Sequence, residues 1–151
     1  MSAVSVRPAG PADAERLLRW RNDPAVRAAS RSRAEVSEAE HRRWLATVLA
    51  DPERHLLVAE VEGEPIGQVR FDRLDDARHE ISVALAPEAR GRRLAAALIE
   101  AGIAGLREHV GPSTVDAVVR HENEPSLRAF RRAGFADAVA EGEFVRLRRE
   151  V

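Results

Sequence analysis

"PEARGRRLAAALIEAGI", residues 87–103, joins a strand-like run, "HEISVAL" (79–85), to a long helix. The join is cationic and built of small residues. Gly91 and Ala95 carry no bulk beyond a β-carbon, and Arg90, Arg92 and Arg93 crowd the bend. The first amides of a helix point outward and carry partial positive charge, so an anion is favoured there without any side chain. Arginine adds a planar donor fork that suits phosphate. With the strand ending near Leu85 and the helix beginning near Arg92, the stretch has the geometry of a phosphate cradle. Taken alone, it reads first as a helix start with solvated arginines. The segments around it decide.

The helix after the bend places Leu94, Leu98, Ala101 and Leu106 on one face, a core-facing stripe. Downstream, "TVDAVVR" (114–120) reads as a strand. In "NEPSLRAFRRAGF" (123–135), Asn123 caps a helix, Pro125 sits in its first turn and Gly134 ends it. Upstream, "HLLVAEVEGEPIGQVRFDRL" (55–74) is a hairpin, with Gly63 and Pro65 in the turn. The chain opens with a strand, "AVSVRP" (3–8), and a helix, "PADAERLLRWRND" (11–23). A second helix, "SEAEHRRWLATVLAD" (37–51), begins with a Ser37–Glu40 capping box. Asn22 and Asp23, ahead of Pro24, read as a helix end and turn. Two short strands close the chain, "FADAVAE" (135–141) and "EFVRLRR" (143–149). The order β-α-α-β-β-β-α-β-α-β-β predicts an α/β protein of the α+β type, with one mixed, mostly antiparallel sheet flanked by helices. One domain over residues 1–151 is expected.

Composition narrows the chemistry. The formal charge of −1 argues against a dedicated nucleic-acid binder. There is no cysteine, which excludes disulfides, thiolate metal sites and a cysteine nucleophile. His41, His55, His79, His109 and His121 are scattered without metal-ligand spacing, so no metal is expected. No apolar run has transmembrane length and the N-terminus lacks a secretory pattern, so a cytoplasmic protein free of membrane is expected. Tyrosine is absent.

Residues 80–135 resemble the core of the GNAT superfamily of N-acetyltransferases. The family signature is Arg or Gln, two residues, Gly, one residue, then Gly or Ala. It falls on Arg90, Gly91, Arg92, Arg93, Leu94 and Ala95, and "NEPSLRAFRRAGF" resembles the second signature. The resemblance implies acetyl-CoA as acetyl donor. Its pantetheine arm would pair with Val83, Ala84 and Leu85, its phosphates would lie in the Arg90–Ala95 turn, and Asn123 and Phe130 would approach it. Glu80 is the implied general base, with His79 on the opposite face of the strand. Two departures stand out. Arg93 replaces the usual glycine and is expected in right-handed helical angles, which arginine takes without strain. Phe130 replaces the tyrosine that often protonates the leaving thiolate, and a phenyl ring donates no proton.

The stretches "LLRWRNDPAVRAAS" and "EHRRWL" are similar to acetyltransferases that modify amino sugars on nucleotide carriers, those of pseudaminic-acid-type pathways being the nearest analogy. Ribosomal-protein N-terminal acetyltransferases share similar openings. On the first reading Arg21, Asn22, Arg27 and His41 face a small-molecule amine. The alternatives are a protein or peptide N-terminal acetyltransferase and a non-catalytic acyl-CoA-binding regulatory domain. Members of the family frequently form homodimers.

Overall fold

The structure, a computed structural model, describes residues 3–151. The strands are β1 (Val4–Pro8), β2 (Arg54–Val61), β3 (Glu64–Asp75), β4 (Arg78–Leu85), β5 (Thr114–Arg120), β6 (Ala136–Glu141) and β7 (Phe144–Glu150). The helices are α1 (Ala14–Arg21), α2 (Pro24–Ala29), α3 (Glu38–Ala50), α4 (Ala95–Val110) and α5 (Glu124–Arg132), with 3-10 turns at Pro11–Asp13 and Pro87–Ala89. All seven strands form one sheet in the order β1-β2-β3-β4-β5-β7-β6. Every neighbouring pair is antiparallel except β4 and β5, which run parallel. The mixed, helix-flanked sheet is the one the sequence predicts.

Two adjacent residues of β3 assign the two faces of the sheet. Val69 packs under α4, where a β-carbon on Gly102 would lie 2.7 Å from Val69 Cγ1. Glycine at that position therefore sets how closely the helix approaches the sheet. Arg70 points the other way and lies over the Trp44 ring of α3, 5.3 Å from its centroid. Buried Leu98, Ile99, Ile103 and Leu106 of α4 pack with Leu57, Val69, Phe71 and Ile81 in the core. Phe130 of α5 and Phe135 add an edge-to-face pair at 5.1 Å.

Local signals behave as the side chains dictate. Ser37 Oγ accepts from the Glu40 amide to start α3, and Asn123 Oδ1 accepts from the Ser126 amide to start α5. The hairpin turn falls at Glu62 and Gly63, both at positive φ. Two expectations need correction. Residues 24–29 form a short helix instead of a plain turn, because Asp23 accepts from the amides of Ala25 and Val26 with Pro24 in the first turn. The helix after the cradle begins at Ala95 and not near Arg92, since residues 90–94 are spent turning the chain.

Candidate active site

The sheet parts in its middle. β4 and β5 are paired from Arg78 with Thr114 to Ile81 with Ala117, and no further. β5 continues to Arg120 on β7, while β4 continues to Leu85 on β3. From Ser82 to Leu85, β4 therefore has an open edge on its β5 side, a place where an extended ligand can add as a strand.

The bend follows directly. Gly91 has φ +78° and Arg93 φ +57°, on either side of Arg92, which is not at positive φ. Such alternation turns successive N–H groups into one concavity, a backbone nest for anions. Among the described residues, no amide from Gly91 to Ala97 donates to a carbonyl or side chain, and the first that does is Leu98, to the Leu94 carbonyl at 2.8 Å. Free amides and the positive end of a 16-residue helix converge on one spot. Arg93 in the left-handed region corrects the right-handed expectation. It adopts the conformation for which glycine is the usual residue, at a cost of about 1–2 kcal/mol. Its exposed side chain forms no ion pair among the described residues. Arg90 instead reaches Asp23 at 2.5 Å, and this contact holds the Asp23 carboxyl below its ordinary range. It ties the bend to the start of α2.

Glu80 and Asp116 lie side by side in the paired part of β4 and β5. Glu80 is 13% exposed, and its two oxygens accept from Arg31 Nη1 and Nη2 at 3.0 Å each. Arg146 stands 3.9 Å away. Asp116 is wholly buried and accepts from Arg148 Nε at 2.7 Å and Arg146 Nη1 at 3.0 Å. Burial pushes Asp116 up, but Arg148 and Arg146 outweigh it and hold the carboxyl below its ordinary range. His79 lies on the opposite face, buried, with Nδ1 2.8 Å from Ser113 Oγ.

The other predicted residues separate into two groups. Arg21 and His41 stand on the Trp44 side: His41 is buried, 5.4 Å from the Trp44 ring. Burial and then the nearby Arg21 charge push His41 down, toward the neutral form. Asn22 and Arg27 serve the 30–37 loop. Asn22 donates to the Val36 carbonyl at 2.7 Å and accepts from its amide at 2.8 Å, while Arg27 Nε donates to the Arg33 carbonyl. Phe130, 3% exposed, sits in the core against Phe135, away from any surface. Sequence reasoning missed Arg31, Arg70, Ser82, Arg146 and Asp116. Asp116 alone left a trace, as a carboxylate inside the apolar strand "TVDAVVR". No group of three or more His, Asp or Glu among the described residues is arranged to hold a metal ion, and no helix there is long and apolar enough to cross a membrane.

The sheet opens between two parallel strands, and a run of unpartnered amides at a helix start lies beyond the open arm. The chain belongs to the acetyltransferase (GNAT) domain family, whose model matches residues 4–136. It is 32% identical over 153 residues to a mycothiol acetyltransferase of Sanguibacter keddieii, covering 92% of this chain and 48% of that protein. It covers 31% of the corresponding protein of Clavibacter sepedonicus, so the chain spans half or less of the length of these relatives. The spermidine N-acetyltransferase of Vibrio cholerae, solved with CoA and spermine, superposes with a TM-score of 0.86 at 16% identity, covering 97% of this chain and 95% of that one. The N-acetyltransferase PseH of Campylobacter jejuni superposes with a TM-score of 0.76 at 15% identity, covering 97% of each chain. At those identities the likeness is one of fold.

Proposed function

We propose that this chain is an acetyl-CoA-dependent N-acetyltransferase acting on a primary amine of a small molecule, with a nucleotide-linked amino sugar as the acceptor class. The observation that carries the reading is the run of unpartnered amides from Gly91 to Ala97, beyond the open edge of β4. Acetyl-CoA supplies the acetyl group: its C–S bond breaks as the C–N bond to the amine forms, and the CoA thiol leaves. The residues of the chain do the rest. The nest and α4 N-terminus hold the diphosphate. The open edge at Val83, Ala84 and Leu85 takes the pantetheine amides in register, and its free N–H groups face the position where carbonyl charge develops. Attack is direct, because no cysteine exists to carry the acetyl group. Glu80 receives the proton the amine must lose. Both its oxygens are held by Arg31 in this conformation, so the Arg31 side chain, more than half exposed, turns away first. Solvent returns a proton to the departing sulfur, since no tyrosine is present and Phe130 is buried.

The amino-sugar assignment rests on Arg21 and His41, which stand together on the Trp44 side of the sheet, and a guanidinium group there suits a sugar diphosphate. A peptide amine read in an acidic groove fits this lining poorly. The test is acetyl-CoA-dependent thiol release with a panel of nucleotide-linked amino sugars, aminoglycosides, polyamines and peptides, run beside thermal unfolding. A ligand at a hundred times its Kd contributes about 2.7 kcal/mol. Stabilisation by acetyl-CoA with no thiol release from any amine would leave a binding domain in place of an enzyme. No stabilisation at all removes the proposal.

A further inference from the structure

On the Trp44 face of the sheet, polar atoms are buried without partners. Arg21, the last residue of α1, donates through Nη2 to the Ser32 carbonyl at 3.1 Å, while its Nη1 is buried and has no acceptor among the described residues. Gln68 Oε1, on β3, is buried and receives no donor. Two residues further along the same face of β3 stands Arg70, over the Trp44 ring, with Nε on Asp72 at 3.0 Å and Nη2 3.5 Å from Ser82 Oγ. Ser82 is the cross-strand partner of Arg70 and the first residue of the open edge of β4. Buried polar atoms in native proteins are nearly always paired, so an orphaned guanidinium nitrogen here calls for a ligand.

The charge of this face is lopsided. Asp72 is shared between Arg54 and Arg70, at 2.8 and 3.0 Å, and Arg21 pairs with no carboxylate among the described residues. Burial lowers the Arg21 guanidinium first, and the charges of Arg27 and Arg70 lower it further. A part-buried guanidinium with one inaccessible, unpartnered nitrogen costs stability unless an acceptor arrives. This face also borders the open edge, through Ser82 opposite Arg70, several residues before the nest at Gly91 where the diphosphate is proposed to lie.

We propose that Arg21 and Arg70 receive an oxyanion, a carboxylate or phosphate, carried by the acceptor amine, while Gln68 Oε1 accepts from one of its hydroxyl or N–H groups. This deepens the acetyltransferase reading and rests on it. It assigns specificity to Arg70 and Gln68, and it makes a polyamine, an all-cationic acceptor, a poor substrate for this chain even though the fold is shared with an enzyme that binds one.

The experiment compares matched amines with and without the anion: glucosamine against glucosamine 6-phosphate, and β-alanine against β-alaninamide. The two pairs separate phosphate from carboxylate. Wild-type kcat/KM for the anionic member of at least one pair exceeds that of its neutral partner by about 10- to 100-fold, the worth of charge-assisted hydrogen bonds. Arg21→Met lowers kcat/KM for the anionic amine far more than for its neutral partner, chiefly through KM, and Arg21→Lys restores part of the difference. A change in tryptophan emission on adding inorganic phosphate to a Trp20→Phe protein, lost when Arg21→Met is added, gives a readout at Trp44 independent of turnover. Unchanged stabilisation by acetyl-CoA certifies that the variants fold, and Arg70→Lys repeats the test at the second guanidinium. Equal use of anionic and neutral amines by a wild-type enzyme that binds acetyl-CoA and turns over would overturn this inference alone. Failure of acetyl-CoA to bind the wild type would remove the acetyltransferase reading beneath it.

Discussion

The donor side and the acceptor side of this site are built from different materials. At the donor end, the bend at 90–97 offers main-chain N–H groups, and what matters is which backbone angles Gly91 and Arg93 adopt. On the proposed acceptor face the groups are side-chain tips drawn from distant segments: Arg21 of α1, Arg31 of the 30–37 loop, His41 and Trp44 of α3, Arg70 of β3 and Glu80 of β4. Guanidinium groups lace that face together. Arg120 on β5 donates to the Ser30 carbonyl at 2.7 Å, and Arg33 pairs with Glu122 at 3.2 Å, so the 30–37 loop is strapped across from α2 to β5. A backbone site can bind one ligand chemistry in many proteins. A side-chain site can be rewritten by single substitutions, and acceptor specificity is proposed to lie there.

The contrast breaks most visibly at Glu80. Glu80→Gln should lower kcat by roughly 10²- to 10⁴-fold, the usual contribution of a general base, and leave acetyl-CoA affinity unchanged. Steady-state kinetics beside a binding isotherm checks both halves, and unaltered kcat removes Glu80 from the chemistry. Gly91→Val acts on the opposite side. No atom within 4 Å obstructs a β-carbon there, so the cost is conformational: φ +78° is a strained angle for a β-branched residue. Acetyl-CoA affinity should fall about tenfold, equivalent to 1.4 kcal/mol, with the acceptor KM little changed. A larger effect on the acceptor would misplace the nest.

How far these two sides are legible in the sequence follows from the same contrast. The bend was readable because its information is local: a glycine, small residues and arginines in fixed spacing between a strand and a helix. Caps at Ser37 and Asn123 and the Gly63 turn were readable for the same reason. α2 could have been found, since Asp23 before Pro24 is a capping residue followed by a proline in the first turn. The angle of Arg93 could not. Residues 90–94 must close the path from β4 to α4, and that geometry overrides the preference of the residue. The Arg31–Glu80 pair spans 49 positions and the Arg120–Ser30 contact 90, and no local pattern records either.

Smaller effects sharpen the picture. Arg93→Gly relieves about 1–2 kcal/mol of left-handed strain but frees the unfolded chain by roughly 0.4–1 kcal/mol. A net gain of about 0.5 kcal/mol in denaturant unfolding is expected. A loss in stability would mean the Arg93 side chain has partners that hold the bend. The smallest effect lies outside both sides of the site, where His55, His79 and His109 cluster with ring centroids 5.9 and 6.3 Å from the His55 ring. Burial first, then His55 and Arg73, depress His79, against a weaker opposing pull from Asp75 and Glu53. Burial and His109 depress His55, with Asp51 opposing. Both histidines hold a proton less readily in the folded chain, so the unfolded chain takes up protons first as pH falls. Stability is therefore full above the ordinary histidine value of 6.5 and declines as pH falls below it. Unfolding free energies from pH 8 to pH 5 should show this decline, and His79→Gln should flatten it.

The donor-side claim is tested most directly by following the backbone amides of Gly91–Ala97 by 1H–15N NMR while coenzyme A or pantetheine is added. Coenzyme A should shift that run of amides together, and pantetheine, which lacks the diphosphate, should move only residues along Ser82–Leu85. Tight binding of coenzyme A that leaves the Gly91–Ala97 signals where they were would contradict the account.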